Sequence, residues 1–259
     1  MVEASQIVPV QAGQELNFLG SSKRLQTSSS SFRYIPSDTI GVSKVVATRT
    51  GTLSAQPVAG STKKNQQMVI DVSPWHATRY LPKVDDTILG VVVQKNPEFF
   101  TVDINGQSTA LLNTLEFQGS TRRDKPKYEE GTLVFCKVIL CDKLAKTQLS
   151  CISPLDKKAW NSGEAFYGEL KQGFVRDFPI GFCRELIAGE ESTQESSTII
   201  YLLKRLREKF EFQMKVGHNG KVWVKGRMSD TVFIFNAFER CVQTFGDREE
   251  IDRLLAVLG

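Results

Sequence analysis

TILGVVVQ (Thr87–Gln94), FFTVDI (Phe99–Ile104), TALL (Thr109–Leu112), TLVFCKVI (Thr132–Ile139) and QLSCI (Gln148–Ile152) follow one another from Arg79 onward. Each run is rich in β-branched or aromatic residues, and each is bounded by Gly, Pro, Asn, Asp or Lys, so five short strands are predicted. Five strands in about seventy residues, with short early hairpins and one longer crossing, fit a small closed barrel of the oligonucleotide-binding kind. Such barrels often hold single-stranded nucleic acid, but a fold alone does not assign a function.

A chain of 259 residues exceeds one small barrel and implies two or three domains. Its 41% hydrophobic content is enough for packed cores. The formal net charge of +4 is too mild to draw the whole protein to nucleic acid, so any basic surface must be local. No run of about eighteen apolar residues occurs, and no membrane span is expected. The N-terminal MVEASQIVPVQAGQEL lacks a basic region followed by an apolar core, so no secretory signal is expected. Cys136, Cys141, Cys151, Cys183 and Cys241 are odd in number, widely spaced and without a C-x-x-C pair. They read as reduced, buried thiols of the cytosol or nucleus. With only His76 and His218 available, no structural metal site is expected.

Residues 1–78 read as a separate β-rich domain, with strands at Thr39–Thr48, Gly51–Ala55 and Met68–Val72. Ser21–Ser31 and Val58–Gln67 read as loops, and Lys23, Arg24 and Arg33 as solvated charge. Residues 79–154 hold the barrel. Beyond it, Ser153–Ser162 reads as a linker and Phe178–Ala188 as a helix. Ser192–Glu208 is a stronger helix, because Ile199, Leu202, Leu203 and Leu206 recur at spacings of three and four. Phe210, Phe212, Met214 and Val216 alternate, as do Val222 and Val224, which predicts two strands around a Gly217-His218-Asn219-Gly220 turn. Asp230 is expected to cap a helix with an apolar stripe of Val232, Phe235, Phe238 and Val242, and Asp247–Leu258 a last short one. Residues 155–259 are therefore an α+β unit.

The loop Asn113–Gly131 carries Ser120-Thr121-Arg122-Arg123-Asp124-Lys125-Pro126-Lys127, the densest basic cluster of the barrel. Arg122, Arg123, Lys125 and Lys127 suit phosphate contact, which is independent of sequence and sensitive to salt. The bland alternative is a solvated loop or a contact with an acidic protein. Barrels of this type bind along strands two and three and the loops joining strands one to two and four to five. Here those loops offer Lys95, Lys143 and Lys146. Phe99 and Phe100 open the second strand and face opposite sides, one inward and one free to stack on a base. The sequence leaves open which of the two is exposed, and Phe100 is placed among the RNA-facing residues. Gly217-His218-Asn219-Gly220 matches the G-x-x-G nucleic-acid clamp, but it lies between two strands rather than between two helices. Gly217, Asn219, Gly220 and the nearby Trp223 therefore read as a structural turn. Asp85-Asp86 is a conceivable Mg²⁺ pair, yet no further carboxylates cluster with it in the sequence. No Ser/His/Asp set, P-loop or dinucleotide fingerprint occurs.

Arg79-Tyr80-Leu81-Pro82 followed by Asp85-Asp86-Thr87-Ile88-Leu89-Gly90-Val91-Val92 resembles the opening of the S1 domain in RNA exosome cap subunits. Leu115-Glu116-Phe117, Gly119 and Thr121–Pro126 continue the likeness, and Gly217–Lys225 resembles the G-x-N-G-x-[IV]-W-V-K element of their KH domain. Within that group the chain is most similar to the ribosomal RNA-processing protein 40 (exosome component 3) family. The resemblance implies an N-terminal β domain (1–78), a five-stranded S1-type OB barrel (79–154) and a KH-type α+β domain (155–259). It further implies a non-catalytic, RNA-binding member of a hetero-oligomer that threads single-stranded RNA for 3′-to-5′ degradation and rRNA processing. Its partners would be RNase PH-like ring subunits and other cap subunits, its location nuclear and nucleolar and also cytoplasmic. No cofactor, metal or catalytic residue is expected.

Two departures matter. Val8–Gln14 stands where the family has P-G-D, and Ala110–Leu115 (ALLNTL) replaces the G-L-V-H-I-S segment of many S1 domains. Without that His, weak phosphate tracking is expected rather than sequence-specific binding. The rival readings are a free-standing RNA-binding processing factor and, behind it, a metal-dependent nuclease.

Overall fold

The computed structural model describes residues 8–10, 14–16, 24–27, 32–36, 43–48, 51–57, 67–73, 79–142, 145–154, 156–191, 198–244 and 253. The chain divides into two compact units, Met1–His76 and Ala77–Gly259.

In the first unit the strands are β1 (Val8–Val10), β2 (Glu15–Leu16), β3 (Arg24–Thr27), β4 (Phe32–Pro36), β5 (Ser43–Ala47), β6 (Gly51–Pro57) and β7 (Gln67–Ser73). They form a four-stranded sheet of order β1-β6-β7-β3 and a three-stranded sheet of order β2-β5-β4. In β5, Val45 and Ala47 are buried and Val46 is only half-buried, the period of two that its sequence predicts. The serine-rich stretch expected to be a loop instead contains β3, which runs parallel to β7 with Leu25 opposite Met68. That pairing joins segments far apart in the chain, so local composition does not announce it. Arg33 is exposed on β4, while Lys23 lies outside the described residues.

The second unit opens with a barrel of β8 (Thr87–Lys95), β9 (Phe99–Asp103), β10 (Ala110–Phe117), β11 (Leu133–Leu140) and β12 (Gln148–Cys151). The order β12-β10-β9-β8-β11 closes through a β11–β12 pairing, and β10 runs parallel to β12. Each of these strands is thereby paired on both sides over part of its length. The third strand is twice its expected length. Its second half, Asn113–Phe117, includes Asn113 and Glu116, which strands disfavour, and it is tied in place by Thr114 N–H donating to the Glu98 carbonyl and by Phe117 pairing with Cys151. Inside the barrel, Phe100, Phe117 and Tyr128 pack ring on ring, with centroids 5.4–6.5 Å apart.

A short β13 (Gly168–Glu169) extends the barrel sheet from β11. Then follow β14 (Phe174–Asp177), α1 (Ile180–Glu191), α2 (Thr198–Lys209), β15 (Gln213–Val216), β16 (Lys221–Lys225) and α3 (Met228–Thr244), with sheet order β14-β16-β15. In α2, Ile199, Leu202, Leu203 and Leu206 are all buried, as their spacing predicts. Elsewhere the reading is corrected. Phe210 and Phe212 precede β15 rather than joining it. The helix α3 begins two residues before Asp230, which sits inside the first turn instead of capping it. Val232 is exposed, and Ile234 takes its place beside Phe235 and Phe238 in the core. Of Asp247–Leu258 only Arg253 is among the described residues. Ser153–Ser162 holds a 3₁₀ turn, Trp160–Ser162, with Trp160 packed against the barrel core.

Candidate nucleic-acid interface

The basic loop is held in a defined shape by its own polar groups. Thr121 and Asp124 close a tight turn: Thr121 N–H donates to the Asp124 carbonyl at 2.8 Å, and Asp124 N–H donates to Thr121 Oγ1 at 3.0 Å. Arg122 and Arg123 are the two central residues of that turn and both are exposed. The Ser120 hydroxyl donates to the Leu115 carbonyl at 2.9 Å, fixing the outgoing limb to β10. On the returning limb Pro126 and Tyr128 are buried. No ion pair ties Arg122, Arg123 or Lys127 to a carboxylate among the described residues. Such cations are available to an external anion without first breaking an internal contact.

Two other predicted cations are already engaged. Lys125 Nζ donates to the Pro97 carbonyl, and Lys95 pairs with Glu129. A cleft of about 380 Å³ lies between these contacts, lined by Lys95, Pro97, Phe100, Lys125 and Tyr128 among others. Lys146 is exposed on the loop before β12, and Lys143 lies outside the described residues.

The choice between the two phenylalanines reverses. Phe100 is 3% exposed and is a core residue, opposite buried Leu112 on β10. Phe99, 36% exposed, is opposite exposed Asn113, and Leu115 is exposed two residues further along the same face. The strand register sets this, because inward and outward positions alternate. Phe99, not Phe100, is the ring available for stacking.

The Gly217–Gly220 turn joins β15 to β16 and is buried against the barrel. The Asn219 side chain is fully buried. Its Oδ1 accepts from Leu89 N–H at 3.2 Å, and its Nδ2 donates to the carbonyls of Leu89 at 2.7 Å and Ile104 at 3.1 Å. On β8, pairing with β9 begins only at Val91, so the carboxamide serves Leu89 as a substitute rung of the sheet. Asn105 Nδ2 donates to the Asn219 carbonyl, and His218 N–H to that of Thr87. A Cβ on Gly217 would lie 2.8 Å from Leu89 N, and Gly220 has φ +86°. Trp223 is buried and belongs to the same hydrophobic cluster as the barrel core. Gly217, Asn219 and Gly220 are thus buried and His218 half-buried, so the turn packs on the barrel as a structural element.

Asp85 and Asp86 are likewise occupied. Asp85 pairs with Lys137 at 2.8 Å, and Asp86 accepts from the Tyr80 hydroxyl at 2.6 Å. Burial, with the Asp86 charge, raises the Tyr80 pKa, so this phenol stays a donor. Among the described residues no three His, Cys, Asp or Glu side chains group as metal ligands. All five cysteines are free; four are buried, and Cys141 is only half-buried. Among the described residues no helix is long and apolar enough to cross a membrane. A larger cleft of about 750 Å³ lies between Trp160, Phe166 and the β15–β16 hairpin. Its exposed Phe166 ring carries Lys215 Nζ 3.7 Å from the ring centroid, a cation–π contact.

A five-stranded OB-type barrel fused to a β-α-α-β-β-α unit defines a module of the S1-plus-KH class. The sequence pattern described as the exosome complex component RRP40 S1 domain matches residues 80–163, and that of a KH domain matches residues 173–230. The exosome complex component rrp40 of Schizosaccharomyces pombe is 33% identical over 175 residues, covering 67% of each chain. The RRP40 proteins of Saccharomyces cerevisiae and Homo sapiens are 26% and 24% identical, over 69% and 66% of this chain and 68% and 58% of their own lengths. A solved structure described as a candidate exosome complex RNA-binding protein superposes with a TM-score of 0.52 at 17% identity, over 70% of this chain and 95% of that one, a likeness of fold alone. The chain belongs to the exosome complex component RRP40 family.

Proposed function

We propose that this chain is a non-catalytic, RNA-binding cap subunit of an RNA exosome. In this reading it assembles with ring and cap subunits and guides single-stranded RNA towards a channel for 3′-to-5′ degradation and rRNA processing, in the nucleus, nucleolus and cytoplasm. The observation that carries the reading is the Thr121–Asp124 turn, which presents the consecutive Arg122 and Arg123 with no carboxylate partner among the described residues. Lys127 and Lys146 add exposed positive charge, and Phe99 with Leu115 offers an exposed apolar face on the barrel. Phosphate contact holds the strand and stacking on Phe99 tolerates any base, which suits a guide with no sequence preference. The nuclease reading is disfavoured because Asp85 and Asp86 are committed to Lys137 and Tyr80.

The test is titration of single-stranded RNA against the full chain over a range of salt concentrations. Replacing Arg122 and Arg123 with Ala is expected to lower the slope of log K on log salt by about 0.7 for each lost phosphate contact. An unchanged slope and affinity would remove the loop from the interface. Native mass spectrometry of material captured through this chain separates the assembled subunit from a free-standing factor.

A further inference from the structure

Four cations crowd the loop Ser120–Lys127, yet they are not placed alike. Arg122 and Arg123 lie at the tip of the closed turn and Lys127 is exposed, whereas Lys125 is half-buried and its ammonium is spent on the Pro97 carbonyl. Pro97 sits in the β8–β9 hairpin, which is itself closed by Asn96 N–H donating to the Phe99 carbonyl at 2.9 Å. One residue past Lys125 the chain enters the core through Pro126 and then Tyr128, and Glu129 takes Lys95 from the same hairpin. The two lysines thus bracket this entry point and join the basic loop to the β8–β9 hairpin through side-chain contacts.

We infer that Lys125 is a positioning residue: it latches the basic loop to the first hairpin of the barrel and so holds Arg122 and Arg123 outward, while making no contact with RNA itself. The inference rests on the RNA-guiding reading of this loop. The Pro97 carbonyl is a fitting latch, because among the described residues no backbone N–H donates to it and it is left to the Lys125 ammonium. Breaking the latch frees the loop to sample conformations in which the two arginines no longer point together. RNA binding must then repay that ordering.

Full-length Lys125→Ala and Lys125→Arg are compared with Arg122→Ala by RNA titration across salt, and each Lys125 variant with wild type by limited trypsin digestion. The Lys125-Pro126 bond is not a trypsin site, so Lys125→Ala leaves the cleavable Arg122-Arg123 bond unaltered. Lys125→Ala is expected to weaken RNA binding about fivefold, the scale of one hydrogen bond, with the salt slope unchanged. It is also expected to speed cleavage at Arg122, and Lys125→Arg, which keeps a donor, to restore both properties. A slope that falls as it does in Arg122→Ala would make Lys125 a phosphate ligand and overturn the inference. Wild-type cleavage and affinity in Lys125→Ala would show that no latch operates. If Arg122→Ala leaves RNA binding untouched, the RNA reading of the loop falls, and the trypsin rates still decide whether Lys125 holds it.

Discussion

Replacing Asn219 with Ala removes a carboxamide that joins the KH hairpin to the barrel. Three hydrogen bonds go: one accepted from Leu89 N–H, two donated to the carbonyls of Leu89 and Ile104. Each is worth about 1 kcal/mol net, and burial of the stranded partners adds to the loss, so the cost is about 3–5 kcal/mol. For a unit of this size that lowers Tm by roughly 6–20 °C. Asn219→Asp is the sharper probe. An aspartate keeps an acceptor for Leu89 N–H but turns a carboxylate towards two carbonyl oxygens, in a site with no exposure. It is expected to be less stable than the alanine variant at neutral pH. The introduced carboxyl would have a raised folded-state pKa, so the extra destabilisation is present above that pKa and fades as pH falls towards about 4, its unfolded value. The assays are urea unfolding at pH 7 and pH 4.5, and hydrogen exchange at Leu89, whose amide should lose protection in the alanine variant, where its side-chain acceptor is gone. An alanine variant within about 0.5 kcal/mol of wild type, the range of an ordinary surface substitution, would refute the reasoning. So would an aspartate variant as stable as the alanine one at pH 7.

The two adjacent phenylalanines should separate stability from binding. Phe100→Ala is expected to cost about 3–5 kcal/mol in denaturant unfolding, as a buried ring does. Phe99→Ala should change stability little and weaken RNA binding by about 1–3 kcal/mol; equal effects on stability would contradict the register. Thiol labelling at pH 8 should modify half-buried Cys141 first. Burial pushes Cys241 up to about 11 and raises Cys136, Cys151 and Cys183 as well, so these should react only on unfolding. Rapid labelling of Cys136 in the native protein would contradict the closed barrel.

Much of this architecture was legible locally. Five β-branched runs between turn residues marked the barrel, and the Ile199-Leu202-Leu203-Leu206 stripe marked a helix that buries those four side chains. Both signals are periodicities that one segment carries alone. The strand β3 escaped because its serine-rich surroundings look like loop and its partner β7 lies some forty residues on. The helix α3 was found, but its start and its stripe were displaced, since Asp230 in a first turn resembles a cap in sequence.

The candidate site divides along the same line. By itself the sequence determined that the cations cluster between the third and fourth barrel strands, and that the G-x-N-G turn sits between strands. Chain order and composition are enough for both. Only the tertiary structure decided that Phe99 rather than Phe100 faces outward, that Lys95 and Lys125 are tied to Glu129 and Pro97, and that Asn219 completes a rung of the barrel. Each of those depends on a partner roughly thirty to one hundred and thirty residues away or on the parity of a strand register. One residue of slip would exchange the two faces of β9 without altering a letter of the sequence.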